Sequence, residues 1–338
     1  MLKLSRKTEN KAECLLCPHQ CKLEVGKSGI CGARKNTGTE VELTTYGLVS
    51  GYAVDPLEKK PLYHWFPGYK ILSVGSYGCN MKCDFCQNYS ISQSVPEESD
   101  QHMTPANIVR DALRVGRNVG VAFTYNEPVI SFEFMRDTAI AAKNNGLYTA
   151  MISNGFVNEE PLNEILKFID AFNIDLKAFN NDFYRHMTGS AIEPVKKCLK
   201  KISEAKKHLE ITTLIIPGLN DSTDEMEREA EWIAAELGED IPLHLSRYFP
   251  MYKRNDDITS ETTLRKLYEA AKTKLHYVYI GNLNSEMGQH TFCPVCSNRV
   301  TVRSGYNTRL INLKSDGCCD KCGTLIYSNL IPALQTKS

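Results

Sequence analysis

From Ile71 onward the chain repeats one pattern, and that repeat restricts the fold more than any other feature. An apolar, β-branched run is followed by turn residues, then by a segment with helical spacing. The pattern predicts strands over 71–78, 120–125, 147–153, 169–176, 209–216, 242–246 and 277–280. Helical spacing falls at 105–117, 128–145, 160–168, 193–208, 222–237 and 260–275. Thr104-Pro105 supplies an N-cap and first-turn proline, and Gly146 a C-terminal stop. Seven strands alternating with six helices imply a parallel sheet with right-handed crossovers. A doubly wound sheet and a partial barrel both satisfy this string.

The residues at the strand ends favour the barrel, whose chemistry gathers at that rim. The first strand runs into Cys79, the second into Asn126-Glu127-Pro128, and the third into Ser153-Asn154-Gly155. The fourth ends in Asp175-Leu176-Lys177 and the fifth in Pro217-Gly218-Leu219-Asn220. The sixth carries His244 and Arg247, and the seventh runs into Gly281-Asn282. One such end would be ordinary turn chemistry. Seven in succession read as the lining of one site.

Thirteen cysteines fall in groups: four in 14–31, three in 79–86, five in 293–322, and Cys198 alone. Cys79, Cys83 and Cys86 follow a Cys-x3-Cys-x2-Cys spacing on the loop after the first strand. Three thiolates on one short loop can hold three corners of a cuboidal iron–sulfur cluster and leave the fourth iron open for a substrate. The competing reading is a zinc site completed by a distant His or Cys, which suits a small cysteine-rich module better than a barrel loop. Lys+Arg and Asp+Glu are both 40, so the chain lacks the basic excess of a nonspecific nucleic-acid binder. No apolar run reaches the roughly 18–20 residues of a membrane span, and Met1 to Cys14 is polar without a signal-peptide core. The expected compartment is the cytoplasm, where clustered thiols bind metals rather than form disulfides.

At GCNMKCDFCQNY (78–89) the chain resembles the radical SAM superfamily. The resemblance implies a [4Fe–4S] cluster on Cys79, Cys83 and Cys86, S-adenosylmethionine (SAM) on the open iron, and reductive cleavage to a 5′-deoxyadenosyl radical that abstracts hydrogen from an unidentified substrate. It places Phe85 near the adenine. A narrower resemblance is to the pyruvate formate-lyase-activating-enzyme-like branch, and within it to AmmeMemoRadiSam enzymes, associated with AMMECR- and Memo-type proteins. It rests on CLLCPHQC (14–21), DPLEKKPLYHWFPG (55–68), TYNEP (124–128), SNGF (153–156), DLKAF (175–179) and CPVC (293–296). It implies that Glu127, with Asn126 and Asn154, contacts SAM, that Asp175 and Lys177 lie beside it, and that flavodoxin or ferredoxin is the reductant. One position departs: activases carry a cation-binding acid two residues before the Asn of Thr-Asn-Gly, and here that residue is Ile152. His244 and Arg247 are candidate catalytic residues, as binders of a polar substrate or, for His244, as a proton donor.

Three domains are expected: an N-terminal cysteine-rich segment (1–45), the partial (β/α)6-type barrel (46–283), and a zinc-ribbon-like knuckle (284–338). Cys293, Cys296, Cys319 and Cys322 have the spacing of a closed structural zinc site, with Cys318 spare. Cys14, Cys17, Cys21 and Cys31 suit zinc or an auxiliary iron–sulfur cluster, with His19 a substitute ligand and a site shared with the other end a third option. Cys198 reads as a buried apolar residue. Lys59, Lys60, His64 and Trp65 read as a cover for the barrel mouth or a partner surface. The acidic run 97–100 and the charged helix 222–237 read as solvated surface. Competing functions are an activase of a glycyl-radical enzyme, an RNA-modifying enzyme prompted by the tail, and a zinc-containing nucleic-acid-binding scaffold.

Overall fold

The computed structural model describes residues 2–7, 10–96 and 102–330; the acidic run 97–100 and the last residues of the expected C-terminal domain lie outside them. Eight strands form one sheet: β1 (Gly51–Pro56), β2 (Lys70–Gly75), β3 (Asn118–Phe123), β4 (Tyr148–Ser153), β5 (Ala171–Asp175), β6 (His208–Ile215), β7 (Leu243–Arg247) and β8 (Val278–Gly281). They lie side by side in chain order. β2 to β8 are parallel, and β1 runs antiparallel along the edge of β2. A doubly wound sheet would reverse its order partway across. Unbroken order is that of an open barrel, and the α/β fold with a mostly parallel sheet is as expected.

Six helices connect the parallel strands: α1 (Pro105–Arg114), α2 (Phe132–Asn144), α3 (Glu159–Phe168), α4 (Ile192–Glu204), α5 (Thr223–Glu236) and α6 (Glu261–Lys272). Thr104 caps α1 by accepting from the Asn107 amide. The segment predicted as helix from Pro128 first makes a 3-10 turn, whose N-cap Glu127 accepts from the Val129 amide. Sheet and helices enclose one large core, which includes Cys198.

In the segment after β1, Trp65 and its apolar neighbours do not cover the mouth as expected. Leu57, Leu62, Trp65 and Phe66 pack against Ile71, Val119, Ala150 and Ala171, residues at or toward the N-terminal ends of β2–β5. Trp65 and Phe66 are almost wholly buried, so the segment stoppers the barrel at the end opposite its rim. Burial of these side chains contributes about 2–3 kcal/mol each. Glu210 on β6 fastens the stopper by accepting from the backbone amides of Tyr63 (3.0 Å) and His64 (2.7 Å). His64 is neutral, its pKa driven down to about 3 by burial, and it lies 2.6 Å from the Tyr279 hydroxyl.

The N-terminal residues form a small antiparallel sheet (Ser5–Lys7, Ala12–Cys14, Lys22–Leu23) and a hairpin (Arg34–Asn36, Val41–Leu43). Their apolar side chains, among them Ala12, Leu16, Leu23 and Val41, belong to the main core. Arg34 is buried and makes a two-pronged ion pair with Glu133 on α2, at 2.7 and 2.8 Å. The C-terminal strands (Thr291–Phe292, Arg299–Ser304, Asn307–Leu310) form their own antiparallel sheet around Val300, Ile326 and Tyr327. Buried Arg303 docks this ribbon: it donates to the Tyr63 carbonyl (2.9 Å) and covers the Tyr63 ring at 4.2 Å. Among the described residues, no helix is long and apolar enough to cross a membrane.

Candidate functional site

A cavity of about 760 Å³ opens at the strand C-termini and runs down the barrel interior. Its wall brings together Cys79, Cys83, Phe85, Cys86, Asn126, Glu127, Asn154, Asp175, Lys177 and His244, drawn from the loop after β2, the ends of β3, β4 and β5, and the body of β7. Arg247 is not in that wall. It lies three residues after His244, and an odd spacing on a strand puts side chains on opposite faces. Arg247 instead donates to the Thr259 carbonyl (2.8 Å) and stacks over Phe249.

The cysteine loop is held from several sides. Asn126 accepts from the Ser76 amide (2.9 Å) and donates to the Gly78 carbonyl (2.8 Å). Asn154 donates to Asn80 Oδ1 (2.9 Å) and to Cys79 Sγ (3.7 Å). Below the loop, the amides of Lys82 and Asp84 donate to the carbonyls of Thr188 (2.8 Å) and Met187 (3.2 Å), in a π-helical turn after β5. These contacts make Asn126 and Asn154 braces of the loop as well as wall residues. Phe85 is buried against Phe183.

Two charged groups face the cysteines. Burial alone would strip the Lys177 proton, but Asp175 at 3.0 Å and the Cys83 sulfur hold its pKa above the usual lysine value. Lys177 therefore stays cationic beside the thiols. Glu127 is fully enclosed and accepts from the amides of Val129 (3.0 Å) and Asn154 (2.8 Å) and the Ser153 hydroxyl (2.8 Å). Burial outweighs these donors and lifts its carboxyl to about 7. His244 shares Glu210 with His208: the imidazole nitrogens lie 2.7 and 2.9 Å from its two carboxylate oxygens. Although burial pushes Glu210 upward, those histidines hold its carboxyl well below the usual range.

A cluster suits this wall better than a lone ion. Tetrahedral bonds of ~2.3 Å gather four sulfurs within ~4 Å of one another. Among the described residues, the group of potential ligands that lies within 4.8 Å of one another is Cys293, Cys296, Cys319 and Cys322. The sulfurs of Cys79, Cys83 and Cys86 do not all lie within 4.8 Å of one another, so they are not gathered around a single ion. Burial pushes the Cys83 thiol up to about 12, a cost that bonding to iron removes.

The model of the radical SAM superfamily matches residues 73–233. A protein of Methanocaldococcus jannaschii, the uncharacterized protein MJ0808, is 38% identical across 94% of this chain and 96% of its own. The chain belongs to the radical SAM superfamily. It is an enzyme of that superfamily, whose fold implies SAM and a [4Fe–4S] cluster. Pyruvate formate-lyase 1-activating enzyme of Escherichia coli K12 is 23% identical over 49% of this chain and 69% of its own length. The crystal structure of Streptococcus suis SuiB bound to S-adenosylmethionine superposes with TM-score 0.51 at 16% identity, over 67% of this chain and 53% of that one; this likeness is one of fold.

Lys59 and Lys60, expected over the barrel mouth, line the cavity. Lys60 is buried in the lining, paired with Asp55 (2.7 Å) and set over the Tyr125 ring (4.2 Å). Asp55 resists its own burial because Lys59, Lys60 and Tyr125 hold its carboxyl below the usual range. The helix 222–237 also departs from expectation. Glu225 and Glu229 on α5 are buried; Glu225 accepts from the Phe179 amide (2.8 Å) and Glu229 from the Thr213 hydroxyl (2.5 Å).

Proposed function

We propose that this enzyme reductively cleaves SAM and uses the resulting radical to take hydrogen from a substrate held in the barrel cavity. The supporting observation is the wall itself: it presents three cysteines, with a buried carboxyl and a lysine ammonium around them. Cys79, Cys83 and Cys86 would hold the [4Fe–4S] cluster, which when bound supplies the electron that cleaves SAM to the 5′-deoxyadenosyl radical. Lys177 offsets thiolate charge in a site of low polarity. Glu127 presents a carboxyl to a cofactor amino group, Asn154 turns its amide nitrogen to Cys79 Sγ, and Phe85 offers a ring face to adenine. His244, oriented by Glu210, is the group in the wall suited to hold or move a proton to substrate. The stopper closes the interior from below and excludes water from the reacting carbon.

Anaerobic protein given SAM and a low-potential reductant should release 5′-deoxyadenosine. The Cys79/Cys83/Cys86→Ala variant should release none; equal release by that variant would sink the reading. The physiological donor in this proposal is a flavodoxin or ferredoxin. The AmmeMemoRadiSam resemblance adds AMMECR- or Memo-type proteins as partners, checked by co-purification from the native cell. The Cys293–Cys322 sulfurs, at 3.4 and 3.7 Å between pairs, suit one structural zinc ion. Thr324 strengthens that fit by drawing the Cys322 thiol down to about 6.

Glycyl-radical activation is the second reading, supported by the likeness to the activating enzyme of Escherichia coli. Ile152 opposes it, because this apolar side chain lines the wall where activases carry an acid. A glycine-centred paramagnetic signal in a partner protein after incubation would favour it over a small substrate.

A further inference from the structure

We propose that Cys14, Cys17, Cys21 and Cys31 hold a second, polynuclear iron–sulfur cluster packed directly against the Cys79–Cys86 loop. The four residues converge although 17 positions separate the first from the last. The Cys14 amide donates to the Cys21 carbonyl (2.9 Å), and the Gly29 amide donates to the Arg34 carbonyl (2.8 Å), closing the loop that carries Cys31. A Cβ at Gly29 would lie 3.6 Å from Cys21 Sγ. Cys14, Cys17 and Cys31 are buried, and all four are free thiols. Buried Arg34, three residues after Cys31, places a fixed cation near Cys14 and Cys31.

Spacing decides the class of metal. The C-terminal four sulfurs lie at single-ion distances. The N-terminal four have not: no three of them lie within 4.8 Å of one another among the described residues. They share this wider arrangement with Cys79, Cys83 and Cys86. All-thiolate sets bind zinc or iron–sulfur clusters, and the wider set fits the cluster. The C-terminal sulfurs form a complete set among themselves, which leaves the N-terminal four as a set of their own.

The two cysteine loops touch through backbone. His19 Nε2 lies 2.7 Å from the Asn80 carbonyl oxygen, which satisfies the imidazole and leaves the four thiols as the ligand set. Gly78 has φ +84°, and a Cβ there would fall 2.3 Å from the Cys31 carbonyl oxygen. Only glycine permits that approach.

The test uses full-length protein purified anaerobically from iron-replete cells. The Cys79/Cys83/Cys86→Ala variant has lost the site on which the proposed function rests, so its iron reports on the N-terminal cysteines alone. It should retain about four irons and four acid-labile sulfides per chain and show a paramagnetic signal on reduction. Adding Cys17→Ala and Cys31→Ala should remove both. A triple variant without sulfide, or with a second zinc per chain, overturns the proposal. If the five-site variant fails to fold, Cys21→Ser in the triple variant decides instead. Exchange of a ligand sulfur for oxygen should shift the reduced spectrum, and an unchanged spectrum overturns the assignment.

Discussion

The two ends of this chain each carry four clustered cysteines, and they are built on opposite plans. The C-terminal ribbon has a small core of its own and sulfurs close enough for one ion. Among the described residues, the N-terminal segment has no separate core: Ala12, Leu16 and Val41 are buried with the barrel. The ribbon is too small to fold firmly on hydrophobic burial, so a metal held by its four cysteines would act as a structural staple. The N-terminal segment is folded by the barrel, which frees its sulfurs from that task. Cysteine count alone does not reveal whether a metal makes a fold or occupies one.

The largest expected effect tests the ribbon. Cys319→Ala, or a strong chelator, should release its metal and open residues 291–330 to protease, while the sheet keeps its cooperative thermal transition. Loss of that transition as well would erase the contrast. Next comes the other end. Arg34→Ala leaves Glu133 without its buried partner and should cost about 3–5 kcal/mol. Urea unfolding should register this in the whole barrel; fraying confined to residues 2–45 would show that the segment is not part of the main core.

A third measurement separates the plans by the sign of their pH dependence. Burial raises the Glu229 carboxyl from 4.5 to about 8. The fold therefore binds a proton that the unfolded chain releases, so the barrel loses stability as pH rises from about 4.5 to 8. Glu229→Gln should flatten that slope, a change of a few kcal/mol across the window. Metal retention by the ribbon should move the other way, improving with pH as thiols ionise. Parallel slopes would mean that one region dominates both. The smallest effect is Lys253→Ala. Its pair with Asp84 is exposed at 3.3 Å, and its loss should cost under about 1 kcal/mol.

The barrel was legible in the sequence because strands buried on both faces read as unbroken apolar runs. Asn118–Phe123 is buried at every position. β1 left no such trace: it is an edge strand, exposed at Ala53 and Val54 and ending in a proline. The cysteine loop and its wall partners at Glu127, Asn154, Asp175 and Lys177 were visible because each falls at a strand end. Glu210 was not, since it sits inside an apolar run and accepts from Tyr63, 147 residues away. Strand-end position also misled at Arg247, where alternation of faces outranks proximity in sequence. The stopper carried the right residues, but nothing local told which end of the barrel Trp65 would enter.

That stopper governs traffic. With Trp65 and Phe66 wedged into the far end, the barrel axis offers no through-route. Whatever enters past the cysteine rim has no exit along the barrel axis, so a product left inside would block the next arrival.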